Sequence, residues 1–355
     1  ILDTETDEER IKKLREKSGT NLPPHFLSLQ SKLKENNIPD GKLTPQQIKS
    51  IIENLIHPSD AIVEKANIFL LYQYWSSGTT LLSASRKIKT ECKKYLEKKG
   101  SKTAQKRIID YYRTDLIAQL YKDFNTAQPY ANFDTFLEMS EGLPRNLLII
   151  LSNIFNWAIF YGEKPFLTEK PISERAQLSA VKESTDWFLK DVSIFGDEGV
   201  SMLNSVKRLG NFFREIRYSD KPGECSLITF SYSTGSIRDE SVVNLIDLAV
   251  RWSLLIRIPK GQKHKNSKSK TEKVQLSKML SPYWDLSIAR RGTIPLTGED
   301  INCIFKGSEE SFESLLKTKT EGMMTPFGYK KKILSTLKNE AKILNASKNP
   351  SLFEK

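Results

Sequence analysis

The sequence predicts a mainly α protein with a small β component, a helical bundle followed by a winged-helix domain. Three observations carry this. Apolar residues recur at three- and four-residue steps from Pro45 to Tyr161. After Pro171 short β-branched and aromatic runs appear between helical stretches. Those stretches then take the order helix, helix, strand, helix, strand, long polar loop, strand, in which the loop takes the place of a wing.

Residues 1–45 open acidic, with Asp3, Glu5, Asp7, Glu8 and Glu9 against Arg10, and are punctuated by Pro23-Pro24 and Pro39-Asp40-Gly41. This composition predicts a helical arm or linker. Residues 46–165 read as a bundle. Ile48, Ile51, Ile52 and Leu55 form one stripe, Pro58-Ser59-Asp60 restarts the chain, and the next helix ends before Gly78. Two basic helices, 79–98 and 103–124, are separated by Gly100. Pro144 then opens a helix to Tyr161 whose apolar circumference predicts burial on most sides. Residues 172–305 supply helices at 177–191, 199–216 and 239–251 and strands at 226–231, 253–258 and 274–280. Residues 306–355 are expected to form a helical tail.

The 355 residues suit two or three domains, and 38% hydrophobic with 28% charged residues excludes wholesale disorder. The net charge of +12 fits an anionic partner such as nucleic acid or a membrane surface. Cys92, Cys225 and Cys303 form no CxxC pair, which excludes a thiolate zinc site and fits a reducing cytoplasm. The longest apolar run, Leu147 to Phe160, falls short of the roughly 18 residues that suggest a membrane span and carries Ser152, Asn153 and Asn156. No signal peptide opens the chain. A first residue of Ile1 leads to the expectation that an earlier part of the protein precedes it.

No GxxxxGK[ST], HExxH or GxSxG occurs. Of the histidines His25, His57 and His264, the second lies in a His-Pro-Ser-Asp turn and the third among lysines. Neither pattern makes a nucleophile–base constellation. No catalytic or metal site is therefore expected within the chain. The segment that stands out is Gly142-Leu-Pro-Arg145. Gly142 ends one helix, Pro144 starts the next, and Arg145 occupies the first turn, where a cation does not suit the helix dipole. Free amides beside a guanidinium can clamp a phosphate; an ordinary surface arginine at a helix junction is the other reading.

Gly142-Leu-Pro-Arg145 followed by an apolar helix resembles the second sensor of AAA+ ATPases of the origin-recognition and initiator type. Further blocks resemble bacterial initiator-like members: Asp115–Leu120, Gln177–Phe188, Arg217–Leu227, Val250–Leu255 and Pro282–Gly292. The resemblance runs over residues 45–330. It implies that 46–165 is the helical lid, that Arg145, with Gly142 and Pro144, senses the γ-phosphate, and that ATP and Mg²⁺ serve the full-length protein. It also implies a P-loop domain upstream of Ile1, since this chain shows neither a P-loop nor the acidic Mg²⁺-binding strand.

The basic loop holds Lys260, Lys263, Lys265, Lys268, Lys270 and Lys273 against Glu272. As a wing it would track a phosphate backbone and position the protein without reading bases; as a solvated loop it would do neither. Arg208, Arg290 and Arg291 are further candidate phosphate contacts, with Tyr283 and Trp284 able to stack on bases or to anchor the core. The helix at 239–251 bears Asp239, Glu240 and Asp247, an awkward load for a major groove. The expected function is a nucleotide-gated clamp on double-stranded DNA, oligomeric when complete, serving replication-like loading or anti-phage defence. The alternative is an adaptor whose winged helix docks a nuclease or effector. No membrane partner is expected.

Overall fold

A computed structural model describes residues 5–19, 22–34, 43–57, 59–97, 103–165, 167, 170–192, 196–259 and 271–324. Helices dominate. α1 (Asp7–Lys17), α2 (Pro24–Leu33), α3 (Pro45–Leu55), α4 (Ala61–Ser76), α5 (Leu81–Leu96) and α6 (Ala104–Asp123) come first. α7 (Phe133–Ser140), α8 (Pro144–Phe160), α9 (Glu174–Val192) and α10 (Gly196–Arg217) come next. The chain then alternates β1 (Thr229–Ser233), α11 (Glu240–Arg251), β2 (Leu255–Arg257), β3 (Thr271–Leu276) and β4 (Ile294–Pro295), and ends its described part with α12 (Gly298–Lys306) and α13 (Glu309–Thr320).

The strands form one small mixed sheet in the order β2-β3-β1-β4. β3 pairs antiparallel with both β1 and β2, placing Phe230 opposite Val274 and Leu255 opposite Leu276. β4 pairs parallel with β1. The three expected strands sit one to four residues from their expected bounds. Ser226 takes a left-handed φ of +47°, so pairing starts only at Thr229. The expected strand 274–280 instead begins at Thr271 and gives way after Leu276 to a 3₁₀ turn, Lys278–Tyr283, that contains Pro282.

The buried apolar side chains fall into two clusters. The first runs from Ile11 through Phe26, Leu33, Ile51, Leu70, Ile88 and Ile108 to Leu120 and Tyr121. The second runs from Tyr130 through Phe136, Ile150, Val181, Phe213, Phe230, Val274 and Trp284 to Leu316. The seam thus lies between Tyr121 and Tyr130. α7 and α8 pack with the later part of the chain, not with the bundle before them as the 46–165 grouping anticipated. The packing partner that decides this is α9, against which α8 lies.

The two ends are helical and packed. Of the two readings offered for residues 1–45, a helical arm or a linker, the described part is helical: α1 and α2 bury Ile11, Phe26, Leu29 and Leu33 in the first core. The acidic start marks a helix N-terminus. Thr6 and Glu9 make a reciprocal capping box, and Asp7, Glu8 and Glu9 fill the first turn, where carboxylates suit the dipole. At the other end, α13, within the expected helical tail, inserts Phe312 and Leu316 into the second core. Residues 325–355, like Gly100 and Pro39–Gly41, lie outside the described residues.

α8 also departs from its predicted burial on most sides. Asn146, Ile150, Ile154 and Ala158 face inward, whereas Leu148, Phe155, Ile159 and Phe160 are exposed, Phe160 by 73%. A helix that leans on α7 and α9 alone covers only one of its faces.

Candidate nucleotide-sensing turn and nucleic-acid interface

The Gly142-Leu-Pro-Arg145 turn is held from one side. Glu141, at the end of α7, adopts the left-handed conformation (φ +54°), and Gly142 comes next at φ +77°, which glycine accepts without strain. The Glu141 carboxylate accepts hydrogen bonds from the Lys278 amide (3.0 Å), the Ser277 hydroxyl (3.1 Å) and the Gln275 amide side chain. Burial pushes this carboxyl above its ordinary range, and the Lys278 amide pulls it back. Lys278 Nζ adds an ion pair to Glu138 at 2.8 Å. The turn is therefore tied to the end of β3, inside the second core.

From this anchor Pro144 and Arg145 project outward. Leu143, at the N-cap, offers no side-chain hydrogen bond to the helix. Pro144 carries no amide hydrogen, and the Leu143 and Asn146 amides donate to the Ser140 (2.9 Å) and Leu143 (3.0 Å) carbonyls, so the turn does not present the row of free amides that the sequence suggested. Arg145 is exposed, and its guanidinium lies 5.2 Å from the Trp187 ring centroid on α9. An exposed arginine steered by an aromatic face can receive a phosphate oxygen through its guanidinium. A whole nucleotide site needs more. No group of three His, Cys, Asp or Glu side chains able to hold a metal occurs among the described residues.

The candidate phosphate contacts divide. Lys260, Lys263, Lys265, Lys268 and Lys270 lie outside the described residues. Lys273 is exposed on β3, in register with Ser231. Arg290 is exposed as well. Arg291 donates to the backbone carbonyls of Asp110 (3.1 Å) and Tyr111 (3.3 Å) on α6, which ties it to the first core. Arg208 donates to the Gly307 carbonyl at 2.5 Å and reaches Glu309 at 3.5 Å, clasping the α12–α13 turn. Trp284 is 2% exposed and packs on α10, so it anchors the core. A Cβ on Gly210 would lie 2.3 Å from its ring, which is why the helix carries glycine there. On α11 the acids have local partners: Asp239 caps the helix and meets Lys306 at 3.3 Å, and Asp247 pairs with Arg257.

The blocks that carry the initiator resemblance meet at the seam. Arg217, at the end of α10, is 1% exposed. Its Nε donates to Asp115 at 3.0 Å, Nη1 to Gln128 at 3.2 Å and to the Asp285 carbonyl, and Nη2 to the Thr114 carbonyl at 3.2 Å. Asp115 also accepts from the Ser226 amide at 2.8 Å, and Gln119 donates to the carbonyls of Arg217 (2.9 Å) and Ser219 (3.0 Å). Burial pushes the Asp115 carboxyl up, with Arg217 opposing it. An arginine cannot give up its proton here, and its charge is met by Asp115 and by three further acceptors, Gln128 and the Asp285 and Thr114 carbonyls. Asp115, Gln119, Arg217 and Asp285 come from three sequence blocks and build one contact.

That convergence agrees with the family comparison, in which a model described as ORC-CDC6-like matches residues 7–296, from the start of α1 to just beyond β4. The chain belongs to the ORC-CDC6-like family. It is accordingly an origin-recognition-type, initiator-like AAA+ protein, a family that by resemblance uses nucleotide with Mg²⁺, interacts with DNA and oligomerises. Comparisons with curated proteins and with solved structures find no match. The match includes α1 and α2, which the sequence reading placed outside the resemblance. No helix among the described residues is long and apolar enough to cross a membrane.

One polar cluster escaped the sequence reading. Glu64 on α4, fully buried, accepts from Arg15 (3.0 and 3.1 Å), from His25 Nε2 (2.9 Å) and from the His57 amide (3.1 Å). Burial opposes its charge, yet His25 and Arg15 hold the carboxyl below its ordinary range. Burial likewise holds His25 below its own. The only signal in the sequence was a glutamate inside the apolar run Ala61–Leu71.

Proposed function

We propose that this chain is the nucleotide-responsive, DNA-facing part of an initiator-like AAA+ ATPase, acting as a nucleotide-gated clamp on double-stranded DNA. The carrying observation is Arg145, exposed at an uncapped helix start on a turn that Glu141 fixes to the sheet. A phosphate drawn to Arg145 would pull on α8 and, through Glu141, on the β3 end of the sheet. On this reading 46–165 contains the lid and 172–305 is a winged helix. The neighbouring order β1, β3, β2, with the lysine loop between β2 and β3, supports that assignment.

Where a P-loop domain binds ATP and Mg²⁺, the nucleotide would supply the γ-phosphate and the metal would balance its charge. Gly142 and Pro144 set the helix start, and Arg145 holds a phosphate oxygen. Lys273, Arg290 and the lysines from Lys260 to Lys270 hold DNA phosphates, which position the duplex without reading it. Arg208 and Arg291, already engaged within the protein, contribute field and not contacts. Replication-like loading and anti-phage defence both suit such a clamp.

The test is DNA affinity at two salt concentrations. A clamp on phosphates loses affinity steeply between 50 mM and 200 mM salt, by about tenfold or more if several phosphates are neutralised; a flat response removes the phosphate-contact reading. For the switch, Arg145→Ala in the complete protein is expected to lower ATP turnover or nucleotide-dependent DNA binding, and unchanged values of both remove the sensor assignment.

The exposed Leu148, Phe155, Ile159 and Phe160 on α8 favour a second reading, an adaptor that docks a nuclease or effector. A complex that survives nuclease treatment and high salt supports it.

A further inference from the structure

The seam between the two cores holds two cavities on either side of one pair of side chains. One, about 190 Å³, lies between α2, α4, α6 and the segment Tyr218–Asp220. The other, about 260 Å³, lies beside residues 125–128 after α6 and reaches Arg214. Lys122 and Tyr218 line both.

Three lysines line the first cavity, each from a different helix: Lys32 from α2, Lys65 from α4 and Lys122 from α6. Lys32 pairs with Asp220, and Lys65 with Asp123 at 2.6 Å. Lys122 differs. No carboxylate lies within ion-pair distance of it among the described residues, and its Nζ sits 4.6 Å from the Tyr218 ring centroid. Burial and the nearby Arg214 hold its ammonium below the usual lysine range, with Glu215 and Asp123 opposing. Across the cavity, three cations face two carboxylates, and one cation is left over.

We propose that this cavity binds a small phosphate-bearing anion, held by Lys122 with Lys65 and Lys32, that bridges the two cores. A phosphate suits the geometry better than a carboxylate. Its oxygens point in several directions and can meet ammonium groups arriving from three helices, whereas a carboxylate offers two in one plane. The cavity has room for several waters and hence for such a group. It is also walled by both halves of the molecule: α2, α4 and α6 belong to the first core, and Tyr218–Asp220 continues from α10 of the second. A bound anion would relieve the crowding around Lys122 and fix the angle between the cores. The site is separate from the Arg145 turn and does not depend on how that turn is read.

The test uses the full chain with sodium pyrophosphate, inorganic phosphate and ATP, each titrated against sodium chloride at matched ionic strength, with binding read by calorimetry and by thermal shift. Saturable pyrophosphate binding with a raised Tm is expected. Lys122→Gln should weaken it roughly tenfold, the effect of losing one charged phosphate contact, whereas Lys122→Arg and the distant Lys12→Gln should retain it. The Tm of each Lys122 variant in chloride alone reports its folding. ATP binding that Lys122→Gln weakens assigns the polyphosphate tail to this cavity; ATP binding that only Arg145→Ala weakens, with pyrophosphate not bound, overturns the proposal. Pyrophosphate binding equal in wild type and Lys122→Gln overturns it too.

Discussion

Two arginines at helix ends show how differently one side chain can be used. Arg217 closes α10 inside the seam, with donors to Asp115, Gln128, Thr114 and Asp285. Arg145 opens α8 on the surface, steered by Trp187. The first is committed to holding the two cores together. The second, fixed by a rigid turn, can still reach a ligand. Burial separates them: a desolvated guanidinium must be met on every side, while an exposed one tolerates an incomplete set of partners.

Breaking the seam should have the largest effect. Arg217→Ala leaves Asp115 buried and unpaired and is expected to cost about 3–5 kcal/mol in denaturant unfolding, enough to part the cores or unfold the chain. The double variant Arg217→Met with Asp115→Leu should recover part of that loss. Recovery of none would show that the geometry of the joint matters more than its charge. Gly210→Ala comes next. Its Cβ meets the Trp284 ring at 2.3 Å, and an expected loss of about 1–3 kcal/mol would locate the close approach of α10 to the residue that ends the 3₁₀ turn.

The first core should respond to acid more than the sensing turn does. The folded protein holds His25 below its ordinary 6.5, so the unfolded chain takes up a proton first as pH falls. Stability is therefore complete above about 6.5 and declines below it. Glu64, held below 4.5, adds a second loss at more acid pH. A Tm measured from pH 7.5 to 5.5 should fall in wild type and fall less in His25→Gln. The smallest effect on stability belongs to Arg145→Ala, no more than about 1 kcal/mol for an exposed cation–π contact. Its consequence should instead emerge in nucleotide response, which sets it apart from Arg217.

Much of the helical layout was legible because it is local. Thr6, Thr44, Thr103 and Thr297 mark four helix starts, and in each the hydroxyl accepts an amide three residues on. Gly78 and Gly142 mark left-handed ends. β2 and β3 fall within or beside the short runs at 253–258 and 274–280 that the sequence marked as strands, with residues 260–270 between them outside the described ones. The fate of individual charges was not legible. Arg208, Arg291 and Trp284 looked available in the sequence and proved to be engaged or buried, because the elements they meet, α12–α13, α6 and α10, lie about 100 to 180 residues away or on another layer. Glu64 looked like a stray acid in an apolar run. Its one carboxylate gathers the end of α1, the start of α2 and the turn before α4.

Helix boundaries, the strand–loop–strand order of the second half and the initiator family are all present in the order of the residues, because they rest on periodicity, capping and short blocks of neighbours. It took the packed molecule to assign α7 and α8 to the second core, to make Arg217 a joint while Arg145 faces outward, and to stand Lys122 at a cavity between the cores. Those outcomes depend on which distant surfaces meet, and burial then determines whether each charge must be paired or can be left for a ligand.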